Sequence, residues 1–145
     1  MVTLIGMGSG SWEALSVQAQ DAVRRAGLVF GAKRLLAGLP PECTARQFAL
    51  YQPAEILETL AQAPGQDAAV LYSGDTGFYS GASGLLTPLR ALGIPARVYP
   101  GVSSIQLLAA ALGRPWQDWK LVSAHGCACD PVAPVSYTHL RAHET

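Results

Sequence analysis

The feature that most constrains this fold is a recurring junction: a short apolar, β-prone run stops abruptly at glycine, serine or aspartate and gives way to helical spacing. Its clearest instance is Ala69-Val70-Leu71-Tyr72 running into Ser73-Gly74-Asp75-Thr76-Gly77-Phe78-Tyr79-Ser80-Gly81-Ala82. Val2-Thr3-Leu4-Ile5 ends the same way at Gly6-Met7-Gly8-Ser9-Gly10-Ser11, and Ala96-Arg97-Val98-Tyr99 at Pro100-Gly101-Val102-Ser103-Ser104. Strand, loop and helix in repeated succession define a parallel sheet, because parallel neighbours need a crossover between them. In such sheets ligands bind beyond the carboxyl ends of the strands, where loop amides face open space. The pattern predicts an α/β domain with a mostly parallel open sheet and flanking helices, and Ser73 to Tyr79 as one wall of a small-molecule site.

The intervening chain fills in the remaining elements. Leu15, Ala19, Ala22, Val23 and Ala26 recur at helical spacing, with Arg24 and Arg25 at the dipole-favoured end and Gly27 as a stop. Leu28-Val29-Phe30 reads as a strand, Ala32 to Leu39 as a short helix, and Arg46 to Leu50 as a further strand. Ile56, Leu57 and Leu60 form a helical stripe after Pro53, which suits a first turn, and Pro64-Gly65 ends it. Leu85, Leu86, Leu89 and Leu92 predict another helix, closed by Gly93, with Pro88 expected in its first turn. Ile105 to Leu112 predict a helix with Ser103 or Ser104 as its cap, and Lys120-Leu121-Val122-Ser123 a last strand.

Composition excludes several classes. Half of the 145 residues are hydrophobic, 14% are charged, and the net charge is +0. That supports a packed core and argues against disorder; with no basic cluster longer than Arg24-Arg25 or Lys33-Arg34, nucleic acid is not an expected partner. No apolar run reaches the roughly 20 residues of a membrane span and the start lacks a signal-peptide pattern, so a cytoplasmic location is expected. Three cysteines, unevenly placed, argue against a disulfide framework.

The first loop invites a dinucleotide-binding reading, but G-x-G-x-x-G fails at Ser11, and the second strand ends in Gly31-Ala32-Lys33-Arg34 rather than an acidic residue. Lys33 or Arg34 could take a 2′-phosphate, which leaves an NADP-dependent oxidoreductase as the alternative. His125-Gly126-Cys127-Ala128-Cys129 lacks the second ligand pair of a metal site, so no metal is expected. Trp12, Trp116 and Trp119 read as core or interdomain packing.

Taken together, Gly6-Met7-Gly8-Ser9-Gly10, Ser73 to Phe78, Pro100 to Ser104 and Ser123-Ala124-His125-Gly126 resemble the N-terminal domain of the tetrapyrrole (corrin/porphyrin) methylases. Gly31-Ala32-Lys33-Arg34-Leu35-Leu36 and Gly113-Arg114-Pro115-Trp116 are most similar to the branch that methylates carbon 5 of a precorrin or cobalt-precorrin in cobalamin biosynthesis. Four loops in the same order over roughly residues 2 to 129 make the resemblance far more specific than any one block. Two positions depart from it: Ser9 and Thr76 stand where the family commonly or often has proline.

The resemblance implies S-adenosylmethionine as cofactor, a corrinoid or tetrapyrrole substrate, and methyl transfer. It implies Ser73, Gly74, Asp75, Phe78, Ser103 and Ser104 as cofactor-binding residues and Gly8 and Ser9 as the substrate-facing loop; it designates no catalytic base. Local alternatives stand beside these roles. Asp75 could satisfy loop amides in an Asx-type turn, Ser103 or Ser104 could cap a helix, and Phe78 and Tyr79 could pack under the loop. The resemblance also implies that residues 1–118 form the N-terminal domain and that 119–130 begin a second domain that is cut short. Residues 131–145 lose apolar periodicity and resemble a cloning or sequencing scar. On that expectation the chain is two-thirds of a methyltransferase, which could be inert alone and whose complete form could be a homodimer.

Overall fold

The computed structural model describes residues 1–123. They divide into a unit Met1–Ser104 and a unit that starts at Ile105. The predictions for His125, Cys127, Cys129 and the tail at 131–145 lie outside the described residues.

The first unit holds β1 (Val2–Gly6), α1 (Val17–Arg25), β2 (Leu28–Phe30), α2 (Lys33–Leu36), β3 (Arg46–Phe48), α3 (Pro53–Ala61), β4 (Ala68–Tyr72), α4 (Ala82–Ala91) and β5 (Ala96–Tyr99). A single turn of 3-10 helix, Trp12–Ala14, precedes α1. The five strands form one sheet in the order β3-β2-β4-β1-β5, every pair parallel. β1 and β2 are buried along their whole length and β4 all but its last residue, whereas the edge strands β3 and β5 are partly exposed. That gradient explains the sequence: central parallel strands are covered on both faces and read as continuous apolar runs, while Arg46-Gln47 and Arg97 mark edges.

The helices sort by the direction in which the chain moves. The connections β1 to β2 and β2 to β3 move toward one edge; β3 to β4 and β4 to β5 move toward the other. Right-handed crossovers in opposite directions put their helices on opposite faces. The two cores follow this rule. Ala19 and Val23 of α1 and Leu35 and Leu36 of α2 pack with Ile5, Val29 and Leu71. Ile56 of α3 and Leu85 and Leu89 of α4 pack with Leu4, Phe30 and Val70 on the other face. Alternation along each strand thus feeds both layers.

Local signals behave as their chemistry requires. The Ser16 hydroxyl accepts from the Ala19 amide at 3.2 Å and starts α1, and Pro53 opens α3. Gly93 adopts φ +70 past the end of α4, where Ile94 N–H donates to the Leu89 carbonyl at 3.0 Å.

Two expectations are corrected. Pro88 lies inside α4, not in its first turn. The helix starts earlier than the leucine stripe indicates because the Ser80 hydroxyl accepts from the Ala82 amide at 3.2 Å; the carbonyl that loses its partner to the proline belongs to Gly84, four residues back. Lys120 to Ser123 form no strand, since β-prone composition is a preference that tertiary context decides. α5 (Ser104–Leu112) begins at the predicted serine pair, on the last residue of the first unit, and continues in the second. Trp116 is 41% exposed among the described residues.

Candidate functional site

β1 and β4 are adjacent, yet the chain leaves them in opposite directions and over opposite faces. Their carboxyl ends are therefore a topological switch point, where an open α/β sheet offers a crevice. Three loops meet there, and they meet through main chain. A Cβ on Gly6 would stand 2.6 Å from the Gly101 nitrogen and 2.8 Å from the Gly74 carbonyl oxygen; one on Gly101 would collide with the carbonyl oxygens of Gly74 and Gly6. Neither Gly6 nor Gly101 has a positive φ, so glycine is required there by close approach alone.

Hydrogen bonds lock this contact. Met7 N–H donates to the Tyr72 carbonyl at 2.7 Å, and Gly8 and Gly74 exchange reciprocal N–H···O bonds of 3.1 and 2.8 Å. Both Gly8 and Gly74 are left-handed, at φ +59 and +67.

Asp75 has both oxygens engaged within the protein. Oδ2 accepts from the Gly77 amide at 3.2 Å, closing the Asx-type turn, and Oδ1 accepts from the Gly101 amide at 3.1 Å. The second bond joins the loop after β4 to the loop after β5. The buried Thr76 repeats that link: its hydroxyl donates to the Tyr99 carbonyl at 3.3 Å. A proline could not form it.

The remaining predicted residues fall into place around this junction. Ser73 is exposed at the end of β4, and Gly74 faces Ser103, whose Cα would lie 3.8 Å from a Cβ there. Ser103 is buried, immediately ahead of α5, and Ser104 is exposed as the first residue of that helix. Gly8 is buried in the bridge to Gly74, and Ser9, next to it, is exposed. Phe78 is half-buried and its ring meets Tyr79 edge-on at 4.8 Å. Tyr79 is 67% exposed with φ +46, an uncommon state for a bulky residue that a built loop can hold.

Residue-by-residue reading missed Gly6, Gly101 and Tyr72. The first two sit in glycine-rich motifs, but close approach between distant loops leaves no local mark. Tyr72 ends β4 with its hydroxyl buried and without a hydrogen-bond partner among the described residues; desolvation pushes its pKa up to about 12.

The dinucleotide alternative is disfavoured by topology. That fingerprint requires β1 and β2 to be neighbours around one helix, whereas β4 lies between them here. A cavity of about 200 Å³ lies at the opposite end of the strands, lined by Met1, Thr3, Ala22, Arg25, Asp67, Ala68 and Arg97, and holds none of the predicted site residues. No group of three metal-binding side chains occurs among the described residues, and no described helix is long and apolar enough to cross a membrane.

Fold and junction define an open parallel α/β domain whose strand-end loops are joined at its switch point. The family described as Tetrapyrrole (Corrin/Porphyrin) Methylases matches residues 1–144, and the chain belongs to that family. It is 34% identical over 128 residues to the cobalt-precorrin-7 C(5)-methyltransferase of Salmonella typhimurium, a match covering 87% of this chain and 62% of the relative. The chain thus spans under two-thirds of the length of that protein. The structure of the methyltransferase CobJ superposes with a TM-score of 0.74 at 23% identity, over 99% of this chain and 63% of the other. Uroporphyrin-III C-methyl transferase from Thermus thermophilus, complexed with S-adenyl homocysteine, superposes with a TM-score of 0.62 at 26% identity, over 86% and 52% of the two chains.

Proposed function

We infer that this chain is the N-terminal part of an S-adenosylmethionine-dependent methyltransferase that methylates carbon 5 of a corrin precursor, a precorrin or cobalt-precorrin. The observation that carries this reading is the glycine junction of Gly6, Gly74 and Gly101, which places three motif-bearing loops side by side at the switch point. The similarity to a cobalt-precorrin-7 C(5)-methyltransferase supports the choice of position on the ring.

The residues fit the cofactor. S-adenosylmethionine combines a charged amino-acid end, ribose hydroxyls and a base, and such a molecule needs donors and acceptors in alternation rather than one strong charge. Ser73, Ser103 and Ser104 offer hydroxyls of both kinds, and the backbone around Gly74 is open enough to approach closely. Bound there, the cofactor would supply a methyl group on a sulfonium. Displacement at such a methyl is in-line, so the protein's task is orientation, which can lower a barrier by several kcal/mol. Ser73, Gly74, Ser103 and Ser104 bind and orient the donor in this reading, with Phe78 as an apolar contact. Asp75 acts as a positioning residue that fixes the loop of Ser73 and Gly74 against that of Ser103. Gly8 and Ser9 face the substrate.

Calorimetry of the full-length gene product with S-adenosylhomocysteine tests the reading. Binding is expected, and Asp75→Ala is expected to weaken it by about tenfold through loss of the inter-loop bond. A wild-type protein that binds no S-adenosylhomocysteine overturns the assignment; an unaffected Asp75→Ala variant removes the loop from the site.

A further inference from the structure

We propose that Arg34, with Lys33 beside it, is a specificity-determining residue that reads a peripheral carboxylate of the tetrapyrrole substrate; the inference rests on the function proposed above. The basic pair is at the start of α2, and three observations place it at the ligand end of the sheet. Arg34 Nη1 donates to the Ser9 carbonyl at 3.4 Å, on the loop that Gly8 bridges to Gly74. A Cβ on Gly10 would stand 3.0 Å from that same nitrogen, so the glycine leaves room for the guanidinium against the loop. Gly38, just past α2, packs on the Gly10 carbonyl and within 3.2 Å, measured from a built Cβ, of the Met7 side chain. The helix and the loop therefore hold the guanidinium between them.

Local stability does not account for the pair. Lys33 and Arg34 are both exposed, and neither forms an ion pair among the described residues. α2 is a single turn of four residues, too short for a helix dipole to hold either cation. The single long bond to Ser9 uses one of five guanidinium donors and leaves the others directed elsewhere. By contrast Arg24, on α1, is paired with Asp21 and Glu42 and lies over the Trp12 ring.

A corrin precursor carries acetate and propionate arms around its rim, and a fixed guanidinium recognises a carboxylate in a planar, two-bond geometry that a hydroxyl-lined crevice cannot offer. Arg34 would then select and register the substrate while the serine-rich loops hold the methyl donor.

The test uses the full-length gene product, with S-adenosylhomocysteine binding followed by calorimetry and porphyrin binding by fluorescence quenching. The probes are uroporphyrin, rich in carboxylates, and coproporphyrin, which has fewer. Arg34→Ala should weaken uroporphyrin binding by about tenfold and coproporphyrin binding less, flatten the salt dependence of the former, and leave S-adenosylhomocysteine affinity within about twofold. Arg34→Lys should restore part of the loss, and Arg34→Gln gives the same reading if circular dichroism shows that the alanine variant folds poorly. Unchanged uroporphyrin affinity, or an equal loss for both porphyrins, overturns the inference. Loss of S-adenosylhomocysteine binding already in the wild type overturns the methyl-donor reading instead, so the two failures are distinguishable.

Discussion

The two ends of the sheet are built by different means. At the carboxyl ends of β1, β4 and β5 the loops touch through bare backbone, with Gly6 and Gly101 at spacings that admit no side chain and Gly74 held at φ +67 between them. At the amino ends backbone bonds also join the loops, such as Gly27 N–H to the Asp67 carbonyl at 2.8 Å and Val2 N–H to the Pro95 carbonyl at 2.9 Å, but the tightest approach to a glycine there comes from a side chain. The Met1 amine pairs with Asp67 at 3.3 Å between exposed groups, and a Cβ on Gly27 would stand 2.6 Å from the movable end of Gln66, with the Asp67 carbonyl at an ordinary 3.8 Å. A main-chain contact cannot yield to a substitution, whereas a side-chain contact can swing away. The first kind of end keeps a fixed geometry for a ligand; the second tolerates change.

Two paired measurements and one single variant can break or sharpen that contrast. Gly101→Ala drives a methyl group into two backbone carbonyls and should cost about 3 kcal/mol or more, while Gly27→Ala should cost less than about 1 kcal/mol; urea denaturation of the two variants decides. Comparable losses would remove the distinction between the ends. Asp75→Ala deletes two bonds from amides to a carboxylate and should cost about 2 kcal/mol, against under about 1 kcal/mol for Asp67→Asn at the exposed pair. The smallest effect belongs to Tyr72→Phe, which removes a buried, unpartnered hydroxyl and should raise stability by about 1 kcal/mol at neutral pH.

The tyrosine also sets a pH dependence. Burial raises its folded pKa from 10.0 to about 12. Below pH 10 both folded and unfolded forms keep the proton, so the contribution to stability is constant. Above that the unfolded chain ionises first, and stability falls until the folded pKa is passed. Thermal melts of the wild type should show this decline across that window, and those of Tyr72→Phe should lack that component.

Most of the fold could be read from the sequence because each element carried a local signal. Leu28-Val29-Phe30 and Ala69 to Tyr72 are apolar runs between glycine-marked turns, and Ile56, Leu57 and Leu60 keep helical spacing. Strand order was not local: β4 inserts between β1 and β2, and no residue in either strand announces its neighbour. The same limit applied to the site. Ser73, Gly74 and Ser103 were visible as strand-end residues, but the bond from Gly101 to Asp75 joins residues far apart in the chain. Thr76 was noticeable only as a replacement for proline, and its bond to the Tyr99 carbonyl depends on β5 lying where the sheet places it. Lys120 to Ser123 show the converse error, where β-prone composition alone did not make a strand.

A junction made of main chain also separates what evolution must preserve from what it can vary. Gly6, Gly74 and Gly101 set the spacing of the loops without any side chain, so exposed neighbours such as Ser9, Arg34 and Tyr79 can be exchanged while the frame is inherited intact. A lineage under pressure to change what its loops contact can start from such a frame and rewrite its rim.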